Sequence, residues 1–310
     1  MNPPKTPEGW ASRLAALIYA VKDSHREDRF PLRIREIAKE YSRSAFPDEP
    51  IAKIDAVADC DGFEGMLLPI PGGGGAWGII YNESGGSIGR ANFSIAHEFG
   101  HYLLHRRRFP DGKKCTNRDM LDWTSEEAQI EGEANRFAAS ILMPLDDFRD
   151  QVSKQGSNID LKFFEKLKVR YEVSLSAAIL RWLSHTNERA MIVVGRDGFI
   201  DWAWSSKPLL RSGVFYRPRQ ETIPLPPQSL AALGDRSFDN ISGVFHSEEV
   251  WLGNEKVKEM AVVYEGYGGM TISLLKYPKA DRGGYIYEEP DVEDVSDRFM
   301  KRFRGGGESI

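Results

Sequence analysis

Cysteine is scarce in this chain: two in 310 residues, Cys60 and Cys115, far apart and in no CxxC arrangement. That excludes a disulfide framework and fits a reducing compartment. No apolar run approaches the ~20 residues that cross a bilayer, and the opening "MNPPKTPEGW" has no hydrophobic segment of a secretory signal. A cytoplasmic protein without membrane contact is expected. Charge of one sign is also lacking. The formal net charge is −5, so no global basic field points to nucleic acid. The short runs Arg106-Arg107-Arg108 and Lys113-Lys114 read as solvated cations, the first at a helix end where the dipole favours them. The loop "PGGGG" lacks a following Lys-Ser/Thr and opens no helix, which makes it a linker and not a phosphate loop.

The expected fold class is α+β. "WASRLAALIYAVKD" carries Leu14, Leu17, Ile18 and Val21 at helical spacing, and a second helix with Ile34, Ile37 and Ala38 follows Pro31. "FEGMLLPI" and "AWGIIYN" read as two strands. A helix carrying "FSIAHEFGHYLLH" then starts at a cap, Asn92 or Ser94, and stops near Arg107 before Pro110-Asp111-Gly112. "SEEAQIEGEANRFAASILMP" is a helix ended by Pro144, and "PLDDFRDQV" adds a turn or two. "LKFFEKLKVRYEVSLSAAILRWLSHT" reads as two helices with a bend near residues 172–174. From about Ala190 the pattern turns to strands, with a hairpin at Asp197-Gly198 and another at "GYGG". The chain therefore divides near residue 188. Residues 10–188 form an α-rich domain with a small sheet, and residues 189–300 a β-rich C-terminal domain. Residues 1–9 and 301–310 are expected to be disordered.

The chemistry concentrates in "HEFGH", residues 97–101. Four residues along a helix is a rise of ~6 Å on one face, so His97 and His101 can aim both imidazoles at one ion. Zinc accepts neutral imidazole and prefers four ligands. Glu98 is turned by about 100° from His97 and can reach a water beside the metal, to take its proton and pass it on. This is the logic of H-E-x-x-H. The motif lies among Ile95, Ala96, Phe99, Leu103 and Leu104, and imidazoles buried there need partners, which a metal supplies. Two imidazoles and a carboxylate also accept Mn²⁺ or Co²⁺. Gly100 costs the helix about 1 kcal/mol against Ala, which implies close packing or room near the metal.

A further ligand is required. His105 stands ~12 Å along the axis from His97 on a straight helix, and three successive turns cannot converge on one ion. The next helix offers Glu131 and Glu133. Glu131 and Asn135 share a face, and Glu133 points elsewhere, with Glu126 and Glu127 as further solvated carboxylates. If Glu131 binds the metal, Asn135 can hydrogen-bond the far nitrogen of a ligand histidine and fix its tautomer. A plain surface carboxylate is an equal reading of Glu131 at this point.

"FSIAHEFGHYLLH", a polar gap and then "IEGEANRFAASILMP" resemble the ImmA/IrrE family of zinc metallopeptidases, and "FEGMLLP", "GIIYN" and "RANFSIAHE" are similar to its strand pair and zinc helix. The resemblance covers roughly residues 10 to 185. It implies a zincin-like, gluzincin-type core, Zn²⁺ on His97, His101 and Glu131, Glu98 as catalytic base, and a family position at Asn135. It further implies a selective protease whose protein substrate is a helix-turn-helix repressor, cut in a stress or mobile-element response. The β-rich residues 189–300 would then be a regulatory or substrate-docking module. Tyr81, Tyr102 and His185 are candidate donors to the oxyanion, and "GIIYN" is a candidate edge strand for an extended substrate. A metal-containing antirepressor or sensor that binds a regulator without cutting it is the alternative; it has no use for Glu98. A DNA reader built on residues 161–186 is disfavoured by Phe163, Phe164, Leu180 and Trp182, which call for a core.

Overall fold

A computed structural model describes residues 3–25, 28–58, 63–83, 87–116, 126–218, 220–233, 242–264 and 269–279. Of the two expected disordered ends, residues 301–310 and residues 1–2 lie outside the described residues, as do Cys60, the side chain of Cys115 and most of the "GYGG" turn, whereas residues 7–9 are helical. The fold is mixed α and β, with a β-rich C-terminal region. The chain forms two compact units. One comprises residues 1–154, 167–174 and 296–310, the other residues 155–166 and 175–295.

In the first unit, helices α1 (Pro7–His25) and α2 (Ile34–Ala45) precede strands β1 (Ile51–Val57), β2 (Phe63–Pro69) and β3 (Trp77–Asn82). Helix α3 (Ile88–His105), strand β4 (Lys113–Thr116), and helices α4 (Glu126–Leu142) and α5 (Leu145–Gln155) follow. The sheet has the order β1-β3-β2-β4, with β1 and β3 parallel and the other pairs antiparallel. β3, which contains "GIIYN", is therefore an inner strand hydrogen-bonded on both sides. It is not the expected edge; the outer strands are β1 and β4. Neither of these is evident from residue pattern. β1 buries only Ile51 and Ile54 and breaks register between Ile51 and Lys53, which destroys the period of two. β4 has four residues, too few to show a period.

Helix α3 begins earlier than expected. Ser87 occupies the N-cap position, and Ser94, one of the expected caps, is buried within the helix. The early start brings Gly89 against the backbone of residues 173–174, where a Cβ would stand 2.5 Å from the Val173 carbonyl carbon. The far end of α3 is tied down as well. Arg106 is buried, lies over the rings of Phe46 and Tyr102, and pairs with Glu49 at 3.0 Å. Expected as a solvated cation, it is instead a packing residue, because its guanidinium plane covers aromatic faces and its charge finds a carboxylate. In α1 the buried side is Trp10, Ala11, Leu14 and Ala15, while Leu17 and Val21 are exposed.

α3 and α4 are packed side by side. Ile130, Phe137, Ala138, Ile141 and Leu142 of α4 are all buried, and Phe99 meets Phe137 edge to face at 5.6 Å. Gly100 is a point of close approach. A Cβ there would stand 3.0 Å from Phe137 Cδ1 and 3.2 Å from Ala134 Cα.

The second unit holds a five-stranded sheet in the order β6-β5-β9-β8-β7, antiparallel throughout. Its strands are β5 (Ala190–Arg196), β6 (Phe199–Ser205), β7 (Val244–His246), β8 (Val257–Tyr264) and β9 (Met270–Lys276). Asp197 and Gly198 join β5 to β6 at φ 52° and 82°, the left-handed pair that a two-residue hairpin requires. Helix α6 (Leu161–Tyr171) spans the boundary between the units, and α7 (Leu175–Leu183) packs on β5. Phe163, Phe164, Leu180 and Trp182 are buried, as a core reading of this stretch requires. Two short helices, α8 (Lys207–Arg211) and α9 (Leu230–Leu233), lie between β6 and β7. The buried Glu259 carboxylate accepts from the Leu230 and Ala231 amides, Trp251 Nε1 and Ser273 Oγ, at 2.7–3.2 Å. Such a carboxylate is tolerated in a core because its lone pairs are satisfied. Among the described residues, no helix is long and apolar enough to cross a membrane.

The α3–α4 contact leaves no space for a branched side chain at its centre. Gly100→Val is expected to destabilise the fold by about 1–3 kcal/mol, read as a lowered urea midpoint.

Candidate metal centre

α3 carries His97, Glu98 and His101, and α4 brings Glu131 beside them; all four are buried to within 3% of full burial. His97 Nε2 and His101 Nε2 are 3.0 Å apart. Glu131 Oε2 lies 3.1 Å from the former and Glu131 Oε1 3.4 Å from the latter. Four ligands at ~2.0–2.1 Å around a tetrahedral zinc stand about 3.3 Å from one another, and one ligand atom from each of these three residues lies within 4.8 Å of the others, close enough to share one ion. No other group of three potential ligands comes together among the described residues. Burial would raise the Glu131 carboxyl, but the imidazoles of His101 and His97 outweigh it and hold the group well below its usual range.

His97 Nδ1 is 2.8 Å from Asn135 Oδ1. The amide oxygen accepts, so the ring proton sits on Nδ1 and Nε2 turns a lone pair toward His101 and Glu131. His101 Nδ1 is 3.0 Å from His105 Nδ1, and His105 Nε2 is 3.0 Å from Glu133 Oε2. Glu133 was expected to be solvated. Its side chain is only 26% exposed, and it is tied to His105 because α4 lies close enough for both carboxylates to reach α3. Burial raises the Glu133 carboxyl, but hydrogen bonds from His105 and Gln129 bring it below its usual value.

Glu98 is adjacent to the cluster and faces β2. A Cβ on Gly65 would stand 2.6 Å from Glu98 Oε1 and 3.0 Å from its Cγ. Gly65 is therefore the residue that makes room for this carboxylate. The sequence carried a signal for it, a glycine inside an apolar strand, which marks close approach. Beside it, Glu64 pairs with Arg90 of α3 at 3.1 Å and fixes β2 against the helix. Of the tyrosines considered for the oxyanion, one has its proton engaged and the other is held by an arginine. Tyr102 donates to the Glu49 carbonyl at 2.7 Å, and the Tyr81 hydroxyl accepts from Arg35 Nη2. His185 is an exposed residue of the second unit. A cleft of about 480 Å³ along Arg35, Tyr81, Arg90 and Ile95 is lined by none of the three potential ligands.

A buried two-histidine, one-carboxylate cluster on a pair of packed helices, with a glutamate next to the first histidine, is the arrangement of the HExxH metallopeptidases. The comparison with protein families agrees: residues 64–183 match the peptidase M78 model, described as the IrrE N-terminal-like domain. Over this segment the chain is thus similar to the ImmA/IrrE family. A search of curated proteins finds no match to the chain.

The Asn135–His97 contact should govern how well a metal is held. Asn135→Ala is expected to weaken zinc binding about 10- to 100-fold, measured by competition with a chromophoric chelator, with the circular dichroism spectrum unchanged.

Proposed function

We propose that the protein is a zinc-dependent endopeptidase of narrow specificity. It hydrolyses a peptide bond in a partner protein, a helix-turn-helix transcriptional repressor, and so switches on a stress or mobile-element response in the cytoplasm. The observation that carries this reading is the convergence of His97 Nε2, His101 Nε2 and the Glu131 carboxylate, whose two oxygens lie 3.1 and 3.4 Å from the two imidazole nitrogens, at a buried point next to Glu98.

His97, His101 and Glu131 would hold the zinc, with Mn²⁺ or Co²⁺ as alternatives that the same donors accept. The ion supplies Lewis acidity, which polarises a peptide carbonyl and makes water a stronger acid. Glu98 takes the proton of the attacking water and returns it to the leaving amine. Asn135 keeps the proton of His97 on the nitrogen turned away from the metal. Gly65 gives the Glu98 carboxylate its place. Among the described residues the outer strand β4, paired with Phe63, Met66 and Leu67 of β2, has no strand on its other side, and an extended substrate segment can add to that edge. Residues 10–188 would form the peptidase domain, and residues 189–300 a regulatory or substrate-docking module.

Glu98→Gln is expected to retain zinc and to lose cleavage by about 10²- to 10⁴-fold, the usual contribution of a general base. His97→Ala and Glu131→Ala should lose both metal and activity. Gly65→Ala should keep zinc while lowering cleavage by about 10²-fold, through displacement of the base. The substrate is sought by comparing new protein N-termini in cells making the wild type or Glu98→Gln, with and without DNA damage. One or two cuts that depend on Glu98, in a repressor, support the proposal. Identical N-termini under every condition count against it and favour a metal-containing antirepressor that binds without cutting.

A further inference from the structure

Both prospective histidine ligands need their Nδ1 atoms held if their Nε2 lone pairs are to meet, and the structure holds the two differently. His97 is held by one neutral amide, Asn135. His101 is followed by a chain of two groups, His105 and then Glu133, which runs from α3 to α4 and ends at a partly exposed carboxylate. Glu133 Oε1 is held in turn by Gln129 Nε2 at 3.2 Å.

We infer that His105 and Glu133 are positioning residues for His101, a two-membered relay that fixes its tautomer and ring orientation for metal binding. The inference rests on the metal reading of the His97–His101–Glu131 cluster. The proton order follows from the ends of the chain. A carboxylate only accepts, so the proton of the last contact sits on His105 Nε2. Neutral His105 then has a bare Nδ1, which accepts from His101 Nδ1–H. His101 Nε2 is left with its lone pair, directed to the point where His97 Nε2 and Glu131 also converge. Without Glu133, nothing selects this order over its reverse, in which His105 donates and His101 carries its proton on Nε2, where it blocks a metal. Oriented imidazole ligands usually rest directly on a carboxylate, carbonyl or water. Here a second imidazole on the next turn of the same helix spans the gap, since His105 is four residues from His101 and shares its face. The helix spacing that makes His105 unable to join the ion is what places it behind the ligand.

The test is zinc affinity of the full chain by chelator competition, together with the imidazole proton resonances of the zinc-loaded protein. His105→Leu removes the acceptor and should weaken binding about 10- to 100-fold. His105→Asn places an amide oxygen near the position of the lost Nδ1, as Asn135 does for His97, and should restore most of the affinity. Glu133→Ala should fall between the wild type and His105→Leu. In the wild type a slowly exchanging Nδ1–H of His101 should be seen, and it should be lost in His105→Leu. A folded His105→Leu that binds zinc as the wild type does would overturn the inference. So would His105→Asn no better than His105→Leu, since that pattern reports packing and not a hydrogen bond. If His105→Leu does not fold, the Asn and Glu133→Ala variants decide it: wild-type affinity with Glu133→Ala and an unchanged His101 resonance would sink the relay. A wild type that takes up no zinc defeats the metal reading itself, a distinct result.

Discussion

The close approach of α3 and α4 at Gly100 is the constraint on which the metal centre depends. His97 and His101 share a helix face by spacing alone, but Glu131 comes from another element. Its carboxylate reaches the two imidazoles only because the helix axes are near, and Gly100 over Ala134 lets them be near. A helix glycine is unfavourable on its own. Here the burial of Phe99, Phe137, Ala138 and Ile141 around it offsets that cost. The same approach delivers Asn135 to His97 and Glu133 to His105, so three contacts of the site follow from one packing decision.

A second constraint acts from the sheet side. β2 lies against α3 with Gly65 over Glu98 and Glu64 on Arg90. The carboxylate next to the metal cluster is therefore enclosed between a helix and a strand, in a slot whose wall is bare backbone. The ligands are set by helix–helix packing and Glu98 by helix–sheet packing. The two are separable, which is why changes at Gly65 and at Gly100 should have different consequences.

Much of this was legible in the residues. H-E-x-x-H states its own geometry, because a helix fixes what lies four residues on. The acid of α4 was not settled by the residues alone: Glu131 and Glu133 are two apart on a helix, and only the packed pair shows that one faces the imidazoles and the other His105. β1 was invisible because a bulge hides its alternation, and β4 because it is short and charged. Missing β1 made β3 look like an edge. Arg106 misled for a similar reason: a cation in a run of three reads as surface, and the aromatic faces of Phe46 and Tyr102 that accept it come from distant points of the sequence. The C-terminal hairpin at Asp197-Gly198 was plain, since that pair suits a tight turn without help from elsewhere.

Helix α3 is held at both ends, by Gly89 against the backbone of residues 173–174 and by Arg106 on Glu49 and two aromatic rings. A helix fastened this way behaves as a stiff ruler. The distance between its two imidazoles is then set before any ion arrives, and capture of a metal needs no ordering of a loop and little loss of chain entropy. The site is preorganised, so selectivity among ions falls to size and donor preference instead of to how far the protein can bend around them.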